Sequence, residues 1–310
     1  MGKQNTGKRN NKKKSSDLGN VPLMKKDEEA MKATPRTIQF FLPDGNARSI
    51  RIAEITSRII QAIQIPRNKL SEAGKREETR NVGVYFLFGE NEKTGESSVY
   101  IGEAEDCHSR LTQHNRGKDF WETAVIIKSK TSSFTKAHTK YLEWYCYEEA
   151  VKANRYALNN STVPAKPFIS EPVEADLMDN YETIKVLLSS LGFPVLEPLI
   201  LSSKPSELLY CKGRGVEATG QYLDDGFLVF KGSGCQTQLV PSAGPFVKNS
   251  HRRLIDGEIV ELQGDSYVFV KDHLFTSPSQ AGAGVLGRNV NGWTIWKDSK
   301  GRTLDELKRK

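Results

Sequence analysis

Four side chains able to move protons or hold an anion fall close together between Tyr85 and His114. Tyr85 sits in Gly83-Val84-Tyr85 and Tyr100 in Val99-Tyr100-Ile101-Gly102, each inside a short apolar run. Side chains alternate across a strand. Val84, Phe86 and Phe88 therefore share one face while Tyr85 and Leu87 share the other, and Val99 and Ile101 oppose Tyr100. If both aliphatic faces point at one core, a hairpin brings the two phenols together on the opposite face. Arg110 and His114 follow four residues apart, the spacing that puts two side chains on one helix face. Two phenols, a guanidinium and an imidazole can thus converge. Each has an ordinary reading too: tyrosine is a favoured strand residue, and a surface arginine–histidine pair is usually just solvated. Glu143 lies farther on, among Tyr141, Leu142, Trp144 and Tyr145. A carboxylate enclosed in so aromatic a stretch needs a cation, and Mg²⁺ commonly binds through one or two carboxylates plus water and phosphate. A carboxylate on a solvated helix face needs none.

The elements that must position these groups can be read from the same stretch. Val82 to Phe88 and Val99 to Gly102 read as strands around a polar turn that contains Gly95. Asp106 can cap a short helix running through Leu111 to His114. Ala124 to Ile127 reads as a third strand, and a longer helix spans about Phe134 to Tyr156. Upstream, Ile38, Phe40 and Leu42, the turn Pro43-Asp44-Gly45-Asn46, then Ile50 and Ile52 predict a hairpin. Residues 53–63 read as helical and 66–80 as a charged helix or linker. Pro164, Pro167 and Pro172 mark a boundary, followed by an amphipathic helix over 174–191. From Glu207 on, short strands alternate with turn signals. Asp224-Asp225-Gly226 and Asn291-Gly292 read as hairpin turns, Ser277-Pro278 as a helix start and Gly287 as a helix stop.

In order and spacing, Gly83-Val84-Tyr85, Val99-Tyr100-Ile101-Gly102, an arginine ten residues past Tyr100, a histidine four later and a helical glutamate resemble the GIY-YIG nuclease superfamily. The resemblance covers residues 82–164. Asn160, in Leu158-Asn159-Asn160, matches the family's late asparagine, with Asn159 as the alternative. The resemblance implies a metal-dependent DNA endonuclease that hydrolyses phosphodiester bonds with one Mg²⁺ or Mn²⁺. Tyr85 would be the general base. Arg110 would favour its phenolate and stabilise the transition state. Glu143 would hold the metal, Tyr100 and His114 would position phosphate or water, and Asn160 would orient its neighbours. Glu103 is a departure, because several family members carry a lysine three residues after the second tyrosine; it argues against lysine-assisted deprotonation. The competing expectations are a catalytically silent GIY-YIG module that binds nucleic acid, an RNA nuclease, or a repair incision subunit. One active site cuts one strand, so a double-strand break needs a homodimer or two sequential events.

A second resemblance lies at the C-terminus. Ser277-Pro278-Ser279-Gln280-Ala281, Leu286-Gly287-Arg288, Asn291-Gly292-Trp293, Trp296-Lys297 and Thr303-Leu304-Asp305-Glu306-Leu307 resemble a domain of unknown function. That domain recurs behind GIY-YIG nucleases and in proteins linked to restriction–modification, which implies a part in DNA targeting and in restriction or phage defence.

Composition frames these expectations. The chain has 310 residues, 37% hydrophobic and 27% charged, enough for two domains with real cores. Six of its seven net positive charges lie in the first 14 residues, as Lys3, Lys8, Arg9, Lys12, Lys13 and Lys14. The excess is a basic tail, either a phosphate-binding arm for DNA, duplex above all, or a solubilising extension. No run approaches the roughly 20 apolar residues of a membrane-spanning helix, and no secretory signal opens the chain, so the expected location is cytoplasmic, with no membrane partner. Cys107, Cys146, Cys211 and Cys235 form no CxxC pair, which disfavours structural zinc. The expected fold class is α+β, with a small GIY-YIG-type sheet flanked by helices and a second small α+β domain. The expected organisation is a disordered basic tail at 1–35, a hairpin and helical extension at 36–80, a nuclease domain at 81–165, a linker and amphipathic helix at 166–204, and the C-terminal domain at 205–310.

Overall fold

The structure, a computed structural model, describes residues 35–91, 96–199, 201, 204 and 207–309. The basic tail, and with it Lys8, Arg9, Lys12, Lys13 and Lys14, lies outside the described residues, as does Gly95 of the polar turn.

The chain opens with β1 (Ile38–Phe41), β2 (Arg51–Ile55) and β3 (Ile60–Pro66), then the short turn of helix α1 (Leu70–Ala73). β4 (Gly83–Glu90), β5 (Ser97–Ala104), α2 (Cys107–Gly117), β6 (Trp121–Ser129), α3 (Lys136–Ala153) and β7 (Ala157–Leu158) follow, then α4 (Glu171–Ser190). All seven strands form one sheet in the order β1-β2-β3-β6-β4-β5-β7. The fold is α+β, but this sheet is larger than the small one expected, because the N-terminal hairpin extends it through β3 and β6.

Residues 53–63 are not helical. They finish β2, turn, and begin β3, a strand paired on both sides. Ile60, Ala62, Ile63 and Ile65 are all buried there. β-Branched residues suit a pleat covered on both faces, and the repeated isoleucines mimic a helical period only because neither face is polar.

Both faces of the sheet are packed. Val84, Phe86, Phe88, Val99 and Ile101 meet Tyr141, Leu142 and Cys146 of α3 and Leu177, Ile184 and Leu188 of α4. Tyr85, Leu87, Ala124 and Ile126 meet Cys107 and Leu111 of α2 on the other face. The two faces thus sort Tyr85 from Val84 as strict alternation requires.

The C-terminal part holds β8 (Leu209–Gly213), β9 (Val216–Leu223), β10 (Gly226–Val229), β11 (Gly234–Cys235), α5 (Pro245–Asp256), β12 (Val260–Gln263), β13 (Ser266–Phe269), β14 (His273–Phe275), α6 (Pro278–Leu286), α7 (Gly292–Ile295) and α8 (Leu304–Lys308). They build a four-stranded and a three-stranded sheet around Trp296, Phe227 and Phe269. Asp224 and Asp225 form the tight β9–β10 turn, Ser277 caps α6, and Gly287 ends it in a left-handed conformation. Asn291-Gly292 is no hairpin. Asn291 caps α7 by accepting from Trp293 N–H at 3.0 Å, and any Cβ at position 292 would overlap the Pro278 backbone. The glycine is there for close approach of α6, not for a strand reversal.

Among the described residues no helix is long and apolar enough to cross a membrane. All four cysteines are buried free thiols.

Candidate active site

β4 and β5 pair so that Tyr85 faces Gly102 and Leu87 faces Tyr100. The tyrosines are therefore diagonal neighbours, with ring centroids 6.1 Å apart and nearly parallel planes. Gly102 makes this possible. A Cβ there would lie 2.5 Å from Tyr85 Cζ and 2.9 Å from Tyr100 Cε1 and would overlap the Tyr85 hydroxyl.

α2 delivers the next two groups. Asp106 caps it, accepting from Ser109 N–H at 2.9 Å, which fixes where the helix starts and so which face Arg110 and His114 present. His114 Nε2 lies 2.8 Å from the Tyr85 hydroxyl oxygen. Its ring centroid is 5.0 Å from that of Tyr100. The Arg110 guanidinium is exposed to solvent and donates to Gln113 Oε1 at 2.8 Å, and it stands near enough to both phenols to act on them electrostatically. Tyr85, by contrast, is 1% exposed and His114 8%. The arrangement is layered, with an open guanidinium above a buried phenol and imidazole.

Burial dominates the electrostatics. It pushes the Tyr85 phenol far up, helped by Tyr100 and opposed by Arg110. Arg110 does favour the phenolate, but the cost of burying the anion exceeds the help of a guanidinium that water also screens. His114 is lowered to about 4, by burial first and then by Arg110 and Lys118. The imidazole is thus neutral at pH 7. With its proton on Nδ1, the neutral imidazole accepts the Tyr85 hydroxyl proton at Nε2.

Asn160 and Glu143 stand at the outer edge of β5. β7 pairs with Ser98 and Val99. Beyond it the Asn160 side chain continues the ladder, accepting from Ile101 N–H at 3.1 Å and donating to Ile101 carbonyl at 2.7 Å. Asn160, not Asn159, makes these side-chain contacts. Farther along β5, Glu103 lies near Glu143 of α3. The six residues thus gather around the Tyr100–Glu103 stretch, four on the α2 face and two at the edge.

Glu143 is half-buried, and its carboxyl is raised to about 7, by burial first and then by the charge of Glu103. Glu103 points toward α3, with Lys136 Nζ at 3.0 Å and Thr139 Oγ1 at 3.4 Å. The acid is therefore turned away from the phenols. Among the described residues no group of three or more His, Cys, Asp or Glu side chains stands together as a metal cage. Glu143 still offers hard carboxylate oxygens, the donor type that suits Mg²⁺ or Mn²⁺ when water and phosphate supply the rest.

Two contributors escaped sequence reasoning. Gly102 was visible as part of Val99-Tyr100-Ile101-Gly102, but its steric duty was not. Lys118 gave no signal. It follows the last turn of α2, its N–H donates to the His114 carbonyl, and its ammonium lies 4.4 Å from the Tyr100 ring centroid.

Comparison with known proteins adds one match. Residues 209–308 match the family described as Domain of unknown function (DUF4357). The match leaves residues 82–164 outside it. No curated protein and no solved structure matches the chain.

Proposed function

We propose that this protein is a metal-dependent endonuclease of the GIY-YIG kind that hydrolyses phosphodiester bonds in DNA. The observation that carries the reading is the buried Tyr85 hydroxyl, 2.8 Å from His114 Nε2 and within the field of the exposed Arg110 guanidinium. Packing alone does not require a buried phenol to be bonded to a neutral base with an exposed cation beside it.

Hydrolysis needs an activated water, neutralised charge at phosphorus and a stabilised leaving oxygen. Tyr85 serves as a relay more than as a standing base. As water attacks phosphorus, its proton passes to the Tyr85 oxygen while the phenol proton passes to His114. No free phenolate forms, so burial of Tyr85 costs nothing in the resting state. Arg110 neutralises the non-bridging oxygens, where planar guanidinium geometry fits phosphate. A phosphate docked on Arg110 and Lys118 also offsets the two cations that add to burial in holding the imidazole basicity down. Substrate binding therefore strengthens the base that the reaction uses. Glu143 would hold Mg²⁺ or Mn²⁺, which supplies Lewis-acid help to the leaving oxygen. Asn160 keeps the β5 edge in register beside it.

A second reading has one observation in its favour. Burial, helped by Glu103, raises the Glu143 carboxyl to about 7, so it is only half ionised at neutrality, which suits a catalytically silent module that only binds nucleic acid. Nicking of supercoiled plasmid with Mn²⁺ separates the two. Wild-type protein nicks and Glu143→Ala, still folded, does not; a wild-type protein that binds DNA but never nicks is the silent module.

A further inference from the structure

The outer face of α5 takes no part in the chemistry above. This helix buries Val247, Ser250, His251 and Leu254 against the C-terminal core. Lys248, Asn249, Arg252 and Arg253 are exposed. Positions i, i+1, i+4 and i+5 form one contiguous stripe. Three of the four are cations, and Asp256 at the far end is the one acid in the helix. Among the described residues Lys248 and Arg252 pair with no carboxylate, and Arg253 comes only within 3.9 Å of Glu90.

A charged stripe on a surface helix is often no more than a solvated face. Two features point further. The first is the kind of side chain. Arginine and asparagine can each make paired hydrogen bonds to the major-groove edges of guanine and adenine, and lysine supplies a phosphate contact. The major groove, about 12 Å wide, admits a helix. A helix lying on a membrane instead needs an exposed apolar face, whereas here Phe246 and Ile255, the exposed apolar residues, stand near opposite ends of α5. The second feature is position. Glu90 ends β4, the strand that carries Tyr85. Five residues of strand span roughly 17 Å, about half of the ~34 Å turn of a duplex.

We propose that the outer face of α5 docks duplex DNA, with Lys248 and Arg252 on phosphate or base edges and Asn249 reading bases. The inference rests on the reading of the Tyr85 cluster as a site for DNA.

The test uses the full chain and a labelled duplex of mixed sequence, with Ca²⁺ replacing Mg²⁺ so that the substrate stays uncut. Both charges are removed together in Lys248→Gln/Arg252→Gln; the positions are exposed and glutamine favours helix, so thermal unfolding should match wild type. Affinity at moderate salt should fall about 10-fold, and the log K against log salt slope should shrink by ~0.9 for each phosphate that the protein no longer neutralises. Unchanged affinity and slope would overturn the proposal. So would intact DNA binding with abolished binding to phosphatidylserine vesicles, which makes the stripe a membrane-docking face. The nuclease reading fails separately: a wild-type chain that never cuts, yet binds DNA more weakly after these two substitutions, keeps the α5 proposal and removes the nuclease.

Discussion

Gly102 and Glu143 carry the sharpest expectations at the scale of single residues. Gly102→Ala inserts a methyl into the space of the Tyr85 hydroxyl and ring. A displacement of about 1 Å at a reacting group can cost ~10²-fold, so single-turnover cleavage should drop by that order while the circular dichroism spectrum is kept. Unchanged cleavage would mean that the phenol is not held where the site needs it. Glu143 makes a prediction about pH. Its carboxyl titrates at about 7 instead of the ordinary 4.5, so the native state holds this proton more tightly than the unfolded chain does. That stabilisation is complete below 4.5 and is lost as pH rises through 7. Metal-free Glu143→Gln should therefore melt higher than wild type at pH 8 and at the same temperature near pH 4. An equal melting difference at both pH values would show that burial and Glu103 do not set its titration. Tyr85, Tyr100, Arg110, His114, Glu143 and Asn160 were legible as a motif. Their charge states were not, because alternation and spacing say which face a side chain takes but not how dry that face is. Tyr85 lies beneath α2 in a packed layer, and that decides its protonation.

Elements explain why six scattered residues come to one stretch of β5. The β5 edge is the common frame: Gly102 and Tyr100 on one face, Asn160 bonded to the Ile101 backbone, Glu143 near Glu103. Asn160→Ala leaves a backbone N–H and carbonyl of Ile101 without partners. That should cost about 1–3 kcal/mol in urea unfolding and lower cleavage as well, since Glu143 sits on the next residue pair. Full stability with abolished activity would instead make Asn160 a direct participant in the reaction. Strands β4, β5 and β6 and helices α2, α3 and α4 were readable because polar turns, caps and apolar periods agree there. β3 was not. Its Ile60-Gln61-Ala62-Ile63-Gln64-Ile65 run is buried on both faces, and without a polar face a strand loses the period that distinguishes it from a helix. Asn291-Gly292 differs for another cause, since close packing against Pro278, invisible in the local pattern, dictates that glycine.

At the scale of the molecule, Arg155, whose side chain is 7% exposed, bonds Asp225 at 2.8 Å. It also donates to the Glu197 carbonyl. It thus links the end of α3 to the β9–β10 turn of the C-terminal part. Removing these bonds in Arg155→Ala should cost about 2–3 kcal/mol and turn a single thermal transition into two; one unshifted transition would show that the link is incidental. No composition or motif announced this arginine, because its value lies in bonds between distant parts of the chain. The central claim, that the Tyr85 cluster performs hydrolysis, is tested most directly by single-turnover cleavage of duplex DNA with Mn²⁺. Wild type, Tyr85→Phe, Arg110→Lys and the double variant would be compared, with affinity measured in Ca²⁺. Tyr85→Phe keeps the ring and removes the relay oxygen, so the rate should fall by ~10²–10⁴-fold with affinity nearly unchanged. With Tyr85 and Arg110 proposed to act on one step, the double variant should be scarcely slower than the poorer single one. A Tyr85→Phe protein that cleaves at the wild-type rate would contradict the account and leave Tyr85 as packing between β4 and α2.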